Sequence, residues 1–248
     1  MSLGHKVNKG MPGSCVPLVY GGTPLKICLT IYSSPWSEFA GGGQIAVHHL
    51  ACALQRIGHD VHVLYSKSYD EKFSINPPYT VHWATHFNCD TLNLDIFSFA
   101  RAMNRLMKWE RFDILHGNAE EAFFACGIAK KFTAGYVFTS HANMIPETGM
   151  IRGLLHPLSF VKSLNNYLLR SSAYHASRII TLSEFSKKLI IKGLGQKKGK
   201  NVMVVSPGVD PSWFEVTRKA EGSKDLILWG RMEEQKGISE LLRTLKEV

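Results

Sequence analysis

No C-x-x-C pair occurs in the chain, and its five cysteines (Cys15, Cys28, Cys52, Cys89 and Cys126) are an odd set scattered mostly in apolar segments. That spacing excludes a zinc-finger or disulfide framework and predicts a reduced, intracellular protein with buried thiols. No apolar run approaches the ~20 residues a membrane span needs. Residues 1–22 lack the apolar core of a signal peptide. Met1-Ser2-Leu3 reads as a cloning remnant, and 1–23 as a loose arm outside the fold. Low-complexity tracts and internal repeats are also missing, and the charged share, 20%, is too low relative to the 45% hydrophobic residues for a disordered chain. A 248-residue chain of that composition has ample material for one large core, or for one domain plus a fragment.

The excess of charge is positive, +9. It favours anionic partners such as nucleotides, phosphorylated sugars, acidic lipid surfaces or nucleic acid, although a soluble protein that is merely basic fits equally. Nucleic acid is disfavoured because no module with interleaved aromatic and basic residues is present.

The apolar pattern alternates between two periods. Leu25–Tyr32, Asp60–Tyr65, Tyr79–Ala84, Phe112–His116, Gly135–Thr139, Arg178–Leu182 and Val202–Val205 read as short strands, most of them continuously apolar, as strands covered on both faces do. Between them lie helical stretches: one with Ala46, Leu50, Ala53, Leu54 and Ile57 on one face and ending at Gly58, then 94–109, 120–132, 154–176, and one N-capped by Ser183. Alternating β and α elements predict an α/β fold, a Rossmann-like doubly wound parallel sheet over residues 24–206. Residues 207–223, with Pro-Gly, Asp-Pro and Glu-Gly-Ser, break the pattern as a hinge or linker does. Residues 224–248 supply one further strand and helix. A single βα unit cannot cover both faces of its strand, so they read as the start of a second Rossmann-like domain at which the chain is truncated, or which a partner chain completes.

Three groups of residues carry candidate chemistry. Gly41, Gly42 and Gly43 lie between the first strand and the first helix, where glycine lets backbone approach a ligand and the helix N-terminus faces an anion; a plain turn is the competing reading. The dinucleotide fingerprint G-x-G-x-x-G is absent and Tyr65-Ser66-Lys67 ends the second strand instead of an acid, which disfavours a nicotinamide dehydrogenase. Arg231 and Lys236 set two cations near one helix start, suited to a diphosphate, or are ordinary surface charge. Among 11 histidines, His116 and His141 fall at strand C-terminal ends, where open α/β sheets bind ligands, and no set has metal-ligand spacing.

Read together, LKICLTIY, AGGGQIAVHHLACALQRIGHDVHVLYS, DILHGN, VFTSHAN, RIITLSEFSKKLI, VVSPGVDPSWF and LILWGRMEEQKGISELLRTL occur in an order that resembles the family-4 (group 1) retaining glycosyltransferases of GT-B fold, over most of residues 25–245. The resemblance implies transfer of a hexosyl group from a nucleotide-diphosphate sugar to an acceptor hydroxyl, with retention. It places Gly41, Gly42 and Gly43 with Arg231 and Lys236 on the donor phosphates and gives His141 a catalytic contact with the donor sugar. His116 and Asn143 become acceptor-side candidates. It implies no cofactor and no metal, a cytoplasmic enzyme, and a sugar, lipid or small-molecule acceptor. Two departures stand out. Pro207 replaces the asparagine usual before Gly208-Val209-Asp210. The family's paired glutamates, which hold the nucleotide, are expected beyond residue 248, so the chain alone is expected to be inactive. A split acceptor- or membrane-binding half, or a sugar-nucleotide epimerase, are the alternatives. Ser186–Lys200, with six lysines interleaved with Leu189, Ile190, Ile191 and Leu194, offers either a peripheral contact with the inner membrane face or a plain soluble surface.

Overall fold

The structure is a computed structural model and describes residues 22–38, 40–68, 72, 74–87, 94–141, 157–209, 214–215, 228 and 237–247. The chain divides into two compact units, 1–207 and 208–248.

In the first unit the chain runs β1 (Lys26–Ile31), α1 (Gly42–Arg56), β2 (Asp60–Lys67), β3 (Thr80–Thr85), α2 (Asp95–Glu110), β4 (Ile114–Gly117), a 3-10 turn (Glu120–Ala122), α3 (Ala125–Lys131), β5 (Gly135–Ser140), α4 (Pro157–Tyr174), β6 (Arg178–Thr181), α5 (Glu184–Leu194), α6 (Gln196–Gly199) and β7 (Val202–Val204). All seven strands are parallel, in the order β3-β2-β1-β4-β5-β6-β7. The order reverses between β1 and β4, where Thr30 lies opposite Gly117. Parallel strands whose order reverses leave a crevice beyond their carboxyl ends at that point.

The strands bury both faces by the two-residue period of a pleated strand. Ile27, Leu29 and Ile31 of β1 join Val61, Val63 and Tyr65 of β2 under α1, whereas Cys28 and Leu64 face Phe99, Met103 and Met107 of α2. Phe138, Ile179 and Ile190 extend that second core toward β6 and α5.

The helices differ from the sequence reading in two places. Helix α1 turns Val47 and Ala51 to the sheet, while Leu50, expected on the buried face, is 36% exposed. Two apolar stripes compete on this helix. The one that docks carries the small residues Gly43, Val47 and Ala51 four apart, which lets the helix lie close over β1. The helix expected across 120–132 breaks into the 3-10 turn and α3. A Cβ at Gly117 would lie 2.2 Å from the Cβ of Ala122, so the chain folds back too tightly for a regular first turn. The caps agree with expectation: Gly58 follows α1 at φ +98, and Ser183 Oγ accepts from Ser186 N at 3.1 Å to cap α5.

In the lysine-rich segment three of the four aliphatic side chains turn to the core. Ile190 is buried, Ile191 and Leu194 pack against the core, and Lys198 Nζ sits 4.7 Å over the Tyr174 ring. Among the described residues no helix is long and apolar enough to cross a membrane. Cys28 and Cys126 are buried free thiols and Cys52 is half-buried; Cys15 and Cys89 lie outside the described residues.

In the second unit the described part is mainly α7 (Ile238–Glu247), where Leu242 and Leu245 remain exposed. The strand expected over 225–229 lies outside the described residues apart from Leu228.

Candidate active site at the switch point of the sheet

Three central strands end side by side at the switch point, and each delivers a polar side chain. Thr30 comes from β1, Asn118 follows β4, and His141 follows β5. The Asn118 carboxamide joins them. Its Nδ2 donates to the Thr30 carbonyl at 2.9 Å and to the His116 carbonyl at 3.4 Å, and its Oδ1 lies 2.9 Å from His141 Nε2. Asn118 is itself held by Glu121, whose Oε1 accepts from Asn118 N and Ala119 N at 3.1 Å each and from Thr30 Oγ1 at 3.0 Å.

Glu121 is fully buried without a cation, and its Oε2 has no hydrogen-bond partner. Burial, with the neighbouring charge of Glu120, raises its pKa to about 8 against the pull of the three donors, so the carboxyl is largely protonated at neutral pH. His116, expected at the acceptor side, lies one layer below the crevice. It is buried, its Nε2 is 2.7 Å from Thr139 Oγ1, and burial followed by the charge of His141 lowers its pKa to about 4. It therefore stays neutral and packs beneath His141. His141 is only partly covered, and burial lowers its pKa too.

The glycines approach the same point. Gly41 caps α1 with no side chain, its N–H donating to Gln44 Oε1 at 3.0 Å, and Gly42 and Gly43 open the helix. The first turn has no acidic side chain, so nothing in the helix's own first turn offsets its positive end. A Cβ at Gly43 would lie 3.7 Å from His141 Cγ and 3.6 Å from Ile31 Cδ1. Helix N-terminus and imidazole thus lie side by side at the switch point, an arrangement that suits an anion beside a hydroxyl-bearing group.

The structure brings together Gly41, Gly42, Gly43 and His141, with His116 behind. Asn143, Arg231 and Lys236 lie outside the described residues. Sequence reading passed over Asn118, Glu121 and Thr30. Asn118 ends the quoted DILHGN run, which was its one signal; Glu121 looks like an ordinary acid in a helix's first turn. Among the described residues no group of three or more His, Cys, Asp or Glu forms a metal site.

A seven-stranded parallel sheet with this order and a polar switch-point site is the Rossmann-like architecture of GT-B glycosyltransferases. Residues 40–213 match the model of Glycosyltransferase Family 4, and the chain belongs to that family. Among solved structures it is similar to sucrose-phosphate synthase from Thermosynechococcus elongatus, with a TM-score of 0.69 at 16% identity over 90% of this chain and 60% of that one. It is also similar to Anabaena HepE solved with UDP and glucose, with a TM-score of 0.53 at 17% identity over 76% of this chain and 46% of that one. UDP-GlcNAc 2-epimerase from Methanocaldococcus jannaschii gives 0.51 at 12% identity over 73% of this chain and 45% of that one. The chain thus spans about half the length of these structures. No curated protein sequence matches it.

Proposed function

We propose that the chain forms the acceptor-side part of a glycosyltransferase that moves a hexosyl group from a nucleotide-diphosphate sugar to an acceptor hydroxyl, with retention. The observation that carries this reading is the close approach of the Gly41–Gly43 helix start to His141 at the switch point. There the helix N-terminus stabilises a leaving diphosphate and His141 orients the donor sugar, so that preorganised dipoles meet the charge that develops as the glycosidic bond breaks. The family resemblance assigns Arg231 and Lys236 to the donor diphosphate as well. No metal is required in this scheme, because these groups neutralise the leaving group. A nucleotide-sugar donor is supported by HepE, which was solved with UDP and glucose. In this reading residues 24–206 are the acceptor-side domain. Asn143 contributes to the acceptor side.

The test is a screen of nucleotide-diphosphate sugars with product analysis, on residues 1–248 and on a polypeptide continued through a complete second domain. Glycoside formation by the longer chain is expected, with Arg231→Ala costing ~10²–10³ in rate and Arg56→Ala, on the polar side of α1, nearly silent. Equal activity of the two variants, or a product that is an epimerised nucleotide sugar, removes the reading.

A further inference from the structure

The Asn118 carboxamide can be oriented from its surroundings alone. One of its two heavy atoms faces backbone carbonyl oxygens, Thr30 O at 2.9 Å and His116 O at 3.4 Å. Carbonyls only accept, so that atom is Nδ2. Rotating the amide by a half-turn would set Oδ1 against the Thr30 carbonyl, two acceptors in contact in a buried site. The atom 2.9 Å from His141 Nε2 is therefore Oδ1, an acceptor, and Nε2 must carry a hydrogen.

We propose that Asn118 is a positioning residue that locks His141 in its Nε2–H tautomer, so that the imidazole meets its ligand through Nδ1 as a hydrogen-bond acceptor and selects a group that donates, such as a sugar hydroxyl. Nδ1 takes no hydrogen bond from any described residue. The lock does not slip readily, because the loop carrying Asn118 is tied at both ends of the network. Asn118 N and Ala119 N donate to Glu121 Oε1, and Thr30, which accepts from Nδ2 through its carbonyl, donates to the same oxygen through Oγ1. Of the titratable groups around His141, His116 is buried in the neutral form with its Nε2 on Thr139, and Glu121 holds Asn118; neither hydrogen-bonds to the His141 ring in competition for Nε2. A carbohydrate ligand, the part of this inference that rests on the proposed function, then donates a hydroxyl proton to Nδ1 in the ground state.

The experiment is long-range ¹H–¹⁵N correlation NMR of the histidine rings in the ¹⁵N-labelled chain above pH 7, with the His141 signals assigned by their loss in His141→Gln. The expected result is a pyrrole-type Nε2 and a pyridine-type Nδ1 in the unliganded protein. Asn118→Ala should give a mixture of the two tautomers. Asn118→Asp, which keeps an acceptor at Nε2 and adds a charge, should restore the single Nε2–H form and raise the pH at which the ring protonates by about 1–3 pH units. A wild-type Nδ1–H tautomer overturns the proposal, as does a single Nε2–H form that persists in folded Asn118→Ala. If that variant does not fold, the wild-type tautomer alone decides. None of these readouts depends on turnover, so a chain with the Nε2–H tautomer and no transferase activity would remove the proposed function and leave the lock standing.

Discussion

Strand β1 begins and ends beside a glutamate, and the two are opposites. At its start Lys26 Nζ meets Glu110 at 2.6 Å and Asp60 at 3.2 Å, in side chains 25%, 39% and 53% exposed. There the hydrogen bond from Lys26 holds the Glu110 carboxyl below its usual range, and the same bond raises the lysine. At its end Thr30 meets Glu121, buried, without a cation and pushed up to about 8. A carboxylate with a cation in water is ordinary surface stitching of modest worth. A buried carboxyl without one is costly, and a fold tolerates it where the group holds something in place. Here it holds Asn118, and through it His141.

Removing the buried acid should show the largest effect. Glu121→Ala strands the Thr30 hydroxyl and two backbone N–H groups, at ~1–3 kcal/mol for each buried donor left unpaired, so a loss of about 3 kcal/mol or more is expected. Glu121→Gln keeps an oxygen facing those donors and should cost about 1 kcal/mol or less. Urea midpoints at constant slope measure both. Equal losses would mean that the acceptor role is not what the side chain contributes.

A smaller effect separates the ends by pH. The folded Glu121 keeps its proton to about pH 8, whereas its ordinary value is 4.5. The folded state then binds more protons between those values, so this stability is fully present below pH 4.5 and lost as pH rises through 8. His116 and His82 run the other way. Both fall from 6.5 to about 4, so their contribution is present above 6.5 and lost as pH falls through 4. Above pH 6.5 the histidine contributions are complete, and Glu121, with Glu120 raised by burial in the same sense, should make wild-type stability decline toward pH 8, with a limiting slope of about 1.4 kcal/mol per pH unit for the one group. Glu121→Gln should flatten that decline. An identical slope in the variant would assign it elsewhere.

The smallest effect belongs to the exposed end. Lys26→Gln should cost about 0.5–1 kcal/mol at low salt and less in high salt, because water and ions already screen these charges. A salt-independent loss above that range would make this cluster part of the core rather than stitching.

What could be read from the chain alone was whatever repeats along it. β-branched and apolar runs of four to eight residues, separated by helical stretches, define a parallel α/β sheet because both faces of each strand must be covered. All seven strands lie within about two residues of their expected places. The helix start at Gly41–Gly43 and the cap at Ser183 were also legible, since backbone rules at helix ends act locally. Tertiary structure alone decided the rest. Which of two stripes on α1 docks depends on how closely the helix can approach β1. That 120–122 tightens into a 3-10 turn follows from the contact between Gly117 and Ala122. His116 and His141 both sit at strand ends in the sequence, yet one is buried on Thr139 and the other borders the crevice. Thr30, Asn118, Glu121 and His141 span 112 positions from first to last, and no local pattern links them. Only the reversal of strand order between β1 and β4 brings β1, β4 and β5 to a common end, where burial turns an asparagine and a glutamate into the frame around a histidine.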